Sequence, residues 1–358
     1  MKQERILFID LGSDYGGVET YLKGLGAMLS PYVQGYAVLS LPKLEAQLRA
    51  QGMTVVCLPI LGSKWLKGLR LLLACFVVPY MLVRFRIRTV QVNGFFESLL
   101  LGPLRLFGYK TIFTMHIPFE TELYSWFRNP ERFFPRLLSK HSLRFASQVV
   151  CVSETIGEIA RSVLPQEKVK VIANWVEAPL ALSRTSSTPK RPQLLFVGRL
   201  EEYKGVQFIL QAMRKIPEVS LLVVGEGSYR RQLEGLADRL DVHFAGFQPD
   251  PSSFYKDSTI FINPSLGPEG LPLVSLEAMA HGLPCIFSDL AVHREITAGG
   301  KAAALFELGD SESLAQQLRR LLDSEQRRQS YSLAARQLVE QRYSRSVAAQ
   351  QYVEAFGL

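Results

Sequence analysis

The sequence predicts an α/β protein of two doubly wound domains, each built on a parallel sheet, the two facing each other across a cleft. Three observations predict it. A chain of 358 residues is too long for one ordinary hydrophobic core. Short β-type runs alternate with helical patterns along the whole chain, as βαβ units require. One stretch, Ala178–Gln193, breaks that alternation: it is rich in Ser, Thr and Pro and has no apolar periodicity, so it reads as a linker. With 47% hydrophobic and 21% charged residues, the chain is globular and well away from disorder.

In the first half, strands are expected at Arg5–Leu11, Gln34–Leu41, Thr54–Leu58, Thr89–Asn93, Lys110–His116, Gln148–Val152 and Val169–Ile172. After the linker they are expected at Leu194–Val197, Ser220–Val224, Val242–Ala245, Ile260–Asn263, Cys285–Phe287 and Ala303–Phe306. The tail from Ser311 reads as helix, with Leu314, Leu318, Leu321 and Leu322 at helical spacing. The boundaries that follow are a domain over 1–177, a linker over 178–193 and a second domain over 194–340. A last helix over 341–358 is expected to pack back towards the first domain. Both domains are Rossmann-like, and such sheets bind ligands at the carboxyl ends of their strands.

The net charge of +8 is unevenly spread. Residues 1–180 hold 21 Lys/Arg against 13 Asp/Glu, whereas residues 181–358 hold 20 of each. A basic half fits an anionic partner, a membrane surface or phosphorylated substrate among them, or else a solvated basic surface. The four cysteines, Cys57, Cys75, Cys151 and Cys285, lie in or beside apolar runs without metal-ligand spacing. They read as reduced core residues of a cytosolic protein. The first ten residues carry no long apolar stretch and read as a strand, not a secretory signal. Leu71–Val83 is the longest uncharged run. As a helix it covers about 20 Å, short of the roughly 30 Å hydrocarbon core. Pro79 is expected to interrupt it.

Three clusters carry chemistry. Gly12-Ser13-Asp14-Tyr15-Gly16-Gly17-Val18-Glu19 follows a strand and opens a helix. Its glycines let backbone approach an anion at the helix N-terminus, or simply make a tight turn. Val197-Gly198-Arg199-Leu200-Glu201-Glu202-Tyr203-Lys204-Gly205 places two cations at a strand end and a helix start. They converge on one diphosphate, or stand as two solvated surface charges. The third cluster is a Gly/Pro-rich loop running into a helix near Pro272, with Glu269 in the loop and Glu277 within the helix. That offset suits two polar contacts, such as a sugar hydroxyl and a ribose hydroxyl, and the free amides after Glu269 suit phosphate or sugar oxygens. The bland alternative is a helix cap with an exposed Glu.

Taken in order, these motifs resemble the retaining glycosyltransferases of GT-B fold known as family 4. The resemblance rests on Gly-Gly-Val-Glu at 16–19, Gly-Arg-Leu at 198–200 with Lys-Gly at 204–205, Val-Gly-Glu-Gly-Ser at 224–228, and the Glu269/Glu277 pair. It implies that Arg199 and Lys204 hold the donor diphosphate, Glu277 the ribose and Glu269 the donor sugar. Gly16 and Gly17 would approach the diphosphate and acceptor, and Gly225 and Gly227 would flank the nucleotide. Gly198, Gly270, Leu271, Leu273 and Val274 complete the implied donor-binding set. His116, in Thr-Met-His-Ile-Pro at 114–118, matches the family's histidine near the reacting carbon. Two departures stand out. Glu-Gly-Leu-Pro-Leu-Val replaces the more common Glu-Gly-Phe-Gly-Leu-Pro, leaving the donor sugar open, and Asn174-Trp175-Val176-Glu177 stands where Asn-Gly-Val-Asp is usual.

The sequence holds no Asp-x-Asp pattern, so no metal and no cofactor is expected, and the cations serve the leaving diphosphate instead. The expected donor is a UDP-sugar before a GDP-sugar, and the acceptor a glycan or lipid-linked molecule. Lys64, Trp65, Lys67 and Arg70 before the apolar run, with Arg84, Arg86 and Arg88 after it, fit a contact with an anionic membrane. Further cations follow at Arg128, Arg132, Arg136, Lys140 and Arg144. The alternative for Leu69–Val83 is a buried helix. The expected location is cytoplasmic, peripheral on the inner face of the plasma membrane. Two rival functions compete. A nucleotide-sugar epimerase of the same fold lacks the cation and Glu combination. A nucleic-acid-binding protein would need a motif that is missing here, so nucleic acid is not an expected partner.

Overall fold

A computed structural model describes residues 3–12, 17–58, 67–118, 141–177 and 191–358. The chain divides into two compact units, Met1–Asn174 with Ala348–Leu358, and Trp175–Val347. Most of the expected linker, 178–190, lies outside the described residues.

The first unit holds a seven-stranded sheet in the order β3-β2-β1-β4-β5-β6-β7. Its strands are β1 (Glu4–Asp10), β2 (Val33–Leu39), β3 (Thr54–Cys57), β4 (Thr89–Val92), β5 (Lys110–Met115), β6 (Gln148–Cys151) and β7 (Val169–Val171). All pairings are parallel. Ile6 to Ile9 of β1 are wholly buried, because a parallel strand covered on both faces needs a continuous apolar run. The helices are α1 (Gly17–Leu29), α2 (Pro42–Ala50), α3 (Lys67–Arg84), α4 (Leu101–Leu106) and α5 (Glu154–Arg161). The strand order reverses between β1 and β4. In open α/β sheets the crevice outside the carboxyl ends at such a reversal takes the ligand.

The second unit holds a six-stranded parallel sheet in the order β10-β9-β8-β11-β12-β13. Its strands are β8 (Gln193–Val197), β9 (Ser220–Val224), β10 (Val242–Gly246), β11 (Ile260–Asn263), β12 (Cys285–Ser288) and β13 (Ala304–Phe306). The helices are α6 (Val206–Met213), α7 (Arg230–Leu236), α8 (Ser252–Asp257), α9 (Leu273–Ala280), α10 (Ala291–Ile296), α11 (Ser311–Leu322) and α12 (Glu325–Arg342). The core joins Ile209, Leu210 and Met213 of α6 to Leu314, Leu318 and Leu321 of α11, over Leu194, Phe196 and Leu221 of the sheet. The order reverses here between β8 and β11.

Each expected strand forms, and no end moves by more than two residues. The overshoot recurs at carboxyl ends: Leu11, Asn93, His116, Val152 and Ile172 lie just past the last ladder pair. These residues leave the sheet where ligands of such folds sit.

Two expectations fail. Pro79 does not interrupt the apolar run, and α3 continues through it to Arg84. Proline removes one helical N–H, but Pro79 lies on the exposed side, where water can serve the carbonyl left free. Cys75 is exposed on the same helix and Cys57 is half-buried, so only Cys151 and Cys285 are buried; all four are free thiols.

The last helix, α13, spans Arg345–Phe356, and its residues from Ala348 onward cluster with the first unit. Tyr352 and Phe356 are buried there. Lys110 Nζ donates to Phe356 O at 2.7 Å, placing a cation on the unsatisfied carbonyls of the helix end.

Candidate active site

In the second unit, two loops meet at the strand reversal. The β8–α6 loop turns through Gly205 at φ 76°. A Cβ there would lie 2.1 Å from the Pro264 carbonyl oxygen, so glycine alone permits the approach. The contact is tied by Leu266 N–H donating to Tyr203 O at 2.7 Å. It brings Lys204, from the first loop, onto Glu269 in the β11–α9 loop, with Nζ to Oε1 at 2.5 Å. Both side chains are largely buried, 16% and 10% exposed. Burial alone would raise the Glu269 carboxyl, but the Lys204 charge and hydrogen bond, with help from Ser265, outweigh it and hold it below its ordinary value.

Arg199 stands apart from that pair. It is exposed and donates from Nη2 to the Tyr203 hydroxyl at 2.7 Å. The Lys204 ammonium lies 5.3 Å from the Tyr203 ring centre. Tyr203 therefore sits between the two expected cations and contacts both.

Glu277, on α9, accepts from the Tyr255 hydroxyl at 2.9 Å. Burial raises its carboxyl above the ordinary value despite that bond. The Tyr255 ring packs 5.1 Å from the His281 ring. The N-terminus of α9 carries no side-chain cap, which leaves the first-turn amides at Leu273 and Val274 open to an anion. Gly270 and Leu271 are buried, and Leu273 and Val274 are half-buried.

Gly225 and Gly227 have a packing reason to be glycine, and Gly198 supplies backbone that one of them meets. A Cβ on Gly225 would lie 1.9 Å from Gly198 O, and one on Gly227 would lie 2.2 Å from Leu200 O. The turns after β8 and β9 press backbone on backbone. Their glycines fit that contact, whatever ligand they also face.

Within electrostatic reach of Glu269 lies His293, fully buried, its Nδ1 2.8 Å from Ser288 O. Burial lowers its pKa to about 4.

In the first unit, His116 follows β5 at the β1/β4/β5 edge. Its ring meets the Tyr21 ring edge-on at 4.6 Å, and Nε2 lies 3.5 Å from Asn93 Oδ1. Burial lowers its pKa to about 3, so the imidazole is neutral. A buried network backs it. Gln91 Nε2 reaches Thr114 Oγ1 at 2.7 Å and the Tyr21 hydroxyl at 3.0 Å, and Tyr21 meets the Tyr352 hydroxyl at 2.7 Å. Gly17 opens α1, and a Cβ there would meet nothing within 4 Å. Gly16 lies outside the described residues.

Of the expected membrane-facing residues, Lys64, Trp65 and the Lys67 side chain lie outside the described residues. Arg84, Arg86 and Arg88 are exposed. Arg70 is corrected: it is 4% exposed and donates to Leu11 O at 3.4 Å, so its charge serves the interior and not a surface. The helix between is neither buried nor polar on its outer side. Leu69, Leu72, Leu73, Phe76, Tyr80 and Val83 form one exposed apolar stripe, while Ala74, Val78, Met81 and Leu82 are buried. Among the described residues no helix is long and apolar enough to cross a membrane. Among them, too, no group of three or more His, Cys, Asp or Glu side chains is arranged to hold a metal ion.

Sequence reasoning missed Tyr203, Tyr255, His293, Asn93 and Asp10. Tyr203 lay inside a quoted motif and Asp10 at a strand end before a glycine cluster, so both had a signal. Tyr255 and His293 meet their partners only through the fold.

Two reversing parallel sheets, each with glycine-bearing loops at its strand ends, define a doubly wound α/β protein of two units. The family model described as Glycosyl transferases group 1 matches residues 191–324, and that described as Glycosyltransferase Family 4 matches residues 15–178. The chain belongs to this glycosyltransferase family. It is 33% identical over 161 residues to sulfoquinovosyl transferase SQD2 of Arabidopsis thaliana, covering 44% of this chain and 31% of that protein. It is 32% identical over 196 residues to the phosphatidyl-myo-inositol mannosyltransferase of Mycolicibacterium smegmatis, covering 52% of this chain and 49% of that protein. The matches thus span half or less of these relatives. Among solved structures, Anabaena HepE in complex with UDP matches with a TM-score of 0.81 at 19% identity, over 99% of each chain. Sucrose-phosphate synthase from Thermosynechococcus elongatus matches with a TM-score of 0.85 at 19% identity, over 99% of this chain and 98% of that one. These likenesses establish the GT-B fold.

Proposed function

We propose that the protein transfers a sugar, with retention at the anomeric carbon, from a nucleotide-sugar to a hydroxyl of a glycan or lipid-linked acceptor. The single observation that carries this is the Lys204–Glu269 pair at the β8/β11 reversal, beside the uncapped N-terminus of α9. A cation, free helix amides and a carboxylate in one crevice match a sugar diphosphate: positive groups for the phosphates, an acceptor for a sugar hydroxyl. Glu269 is ionised and takes that hydroxyl. Lys204 turns from Glu269 to the diphosphate, Arg199 joins it, and Glu277 takes the ribose. These cations stabilise the charge that develops as the nucleotide leaves, so the reaction needs no metal. Gly198, Gly225 and Gly227 line the nucleotide side, and Gly16, Gly17 and His116 serve the reacting end. The leaving phosphate takes the acceptor's proton on the same face of the sugar. A glycosyl-enzyme ester trapped on a carboxylate would overturn that path.

UDP is preferred over GDP, since HepE is described in complexes with UDP and with UDP-glucose. The exposed α3 stripe flanked by Arg84, Arg86 and Arg88 supports docking on an anionic membrane, and so a lipid-linked acceptor. One relative, from Mycolicibacterium smegmatis, is named a phosphatidyl-myo-inositol mannosyltransferase, and that name also favours a lipid acceptor. A membrane-docked enzyme of this kind works at the cytoplasmic face.

The test is thermal stabilisation by a panel of nucleotide-sugars, because a bound donor stabilises the fold by mass action. UDP-sugars should raise the melting temperature with and without EDTA. No shift with any donor would remove this reading.

A further inference from the structure

Three buried polar atoms on β1 and β4 have no hydrogen-bond partner: Asp10 Oδ2, Gln91 Oε1 and Asn93 Nδ2, the last on the residue whose Oδ1 meets His116. They belong to one place. Ile9 pairs with Val92 in the parallel ladder, and Asn93 N–H donates to Ile9 O at 3.2 Å. Asp10 and Asn93 are therefore register neighbours at the carboxyl ends of β1 and β4. Side chains two apart share a sheet face, so Asp10, Gln91 and Asn93 point to the same side, with Thr114 and His116 of the β5 edge beside them. Asp10 is 6% and Asn93 5% exposed.

The other half of each group is fixed. Asp10 Oδ1 accepts from Gly12 N–H at 3.0 Å. Asn93 Oδ1 lies 3.3 Å from Gln91 Nε2 and 3.5 Å from His116 Nε2. Two acceptors, Asp10 Oδ2 and Gln91 Oε1, and one donor, Asn93 Nδ2, are thus left over, and the side chains of Asp10 and Asn93 stand on neighbouring register positions of β1 and β4. Buried polar atoms in folded proteins are nearly always paired, and unpaired ones call for a partner.

We propose that Asp10 and Asn93 form the seat of the acceptor hydroxyl. An alcohol donates and accepts through one oxygen. It donates to Asp10 Oδ2 and accepts from Asn93 Nδ2, and this holds its oxygen beside His116. The pair positions the nucleophile, favours a hydroxyl over an ammonium group, which cannot accept, or a thiol, which bonds weakly, and does so within one unit at the strand reversal. The assignment rests on the glycosyltransferase reading above.

The test uses the full chain and Asp10→Asn, Asn93→Asp and their double variant. UDP release from UDP-glucose is followed with water as acceptor, then with octyl glucoside added. Each single change presents two like groups to the hydroxyl. Release should fall at least tenfold, and octyl glucoside should lose its effect on product. The thermal shift given by UDP should stay as in the wild type. The double variant exchanges donor and acceptor, which a hydroxyl accommodates by turning round, so it should recover part of the loss. Unchanged release in both single variants, with only the melting temperature lowered, would overturn the proposal and leave the atoms to an internal water. A wild-type protein that neither responds to UDP nor releases it would instead remove the glycosyltransferase reading.

Discussion

At the scale of single residues, Lys204 and Glu269 carry two burdens at once. They are the expected donor contacts, and they are also a largely buried ion pair. Removing one partner of such a pair leaves an uncompensated charge and costs about 3–5 kcal/mol. Lys204→Ala should therefore lower both turnover and stability, and chemical denaturation would separate the two. Adding Glu269→Gln should restore most of the stability and none of the turnover, a double-mutant cycle in which only the stability readout recovers. Tyr255→Phe removes only the hydroxyl that Glu277 accepts from. It should cost about 1–2 kcal/mol of stability and raise KM for the donor, as titration of initial rates would show. Lys204, Glu269 and Glu277 were legible because motif spacing on loops and a helix start is local. Tyr203 and Tyr255 were not singled out, because a tyrosine is equally at home in any core and only the fold reveals what its hydroxyl meets.

At the scale of elements, the two turns after β8 and β9 are locked by backbone contact. Gly225→Ala or Gly227→Ala would drive a Cβ to 1.9 Å from Gly198 O or 2.2 Å from Leu200 O, far inside van der Waals contact with backbone. Each should destabilise the second unit by roughly 1–3 kcal/mol or more, measurable by urea midpoint, even without donor. The helix α3 shows the opposite economy. Phe76 and Tyr80 on its outer apolar stripe are 71% and 63% exposed, so Phe76→Ser with Tyr80→Ser should leave the melting temperature nearly unchanged. The same pair of changes should abolish co-sedimentation with anionic liposomes. Retention of binding would dismiss α3 as the docking element. The terminal helix behaves as core: Tyr352 and Phe356 are buried, and each is worth about 1.5–3 kcal/mol.

At the scale of the whole molecule, buried neutral histidines link stability to pH. His116 and His293 have pKa values lowered from 6.5 to about 3 and about 4. Below pH 6.5 the unfolded chain binds protons at these sites and the folded chain does not. Stability is therefore full above 6.5 and falls as pH drops towards 4. Urea midpoints between pH 7.5 and 4.5 should show that slope, and His293→Gln should flatten it. The charge asymmetry has its own consequence: liposome binding should weaken with salt, as exposed arginines become screened.

The sequence by itself determined the parallel two-sheet architecture, every strand and the loops that carry Arg199, Lys204, Glu269 and Glu277. Those features depend on local alternation, glycine turns and short spacings, which a single chain displays openly. The tertiary structure alone decided which polar groups pair and which stay unpaired. It buried Arg70, exposed one face of α3, seated Tyr203 between two cations and left Asp10 and Asn93 with a free acceptor and donor. Such outcomes depend on residues far apart in the chain meeting across a sheet register, and no periodicity along the sequence encodes that meeting.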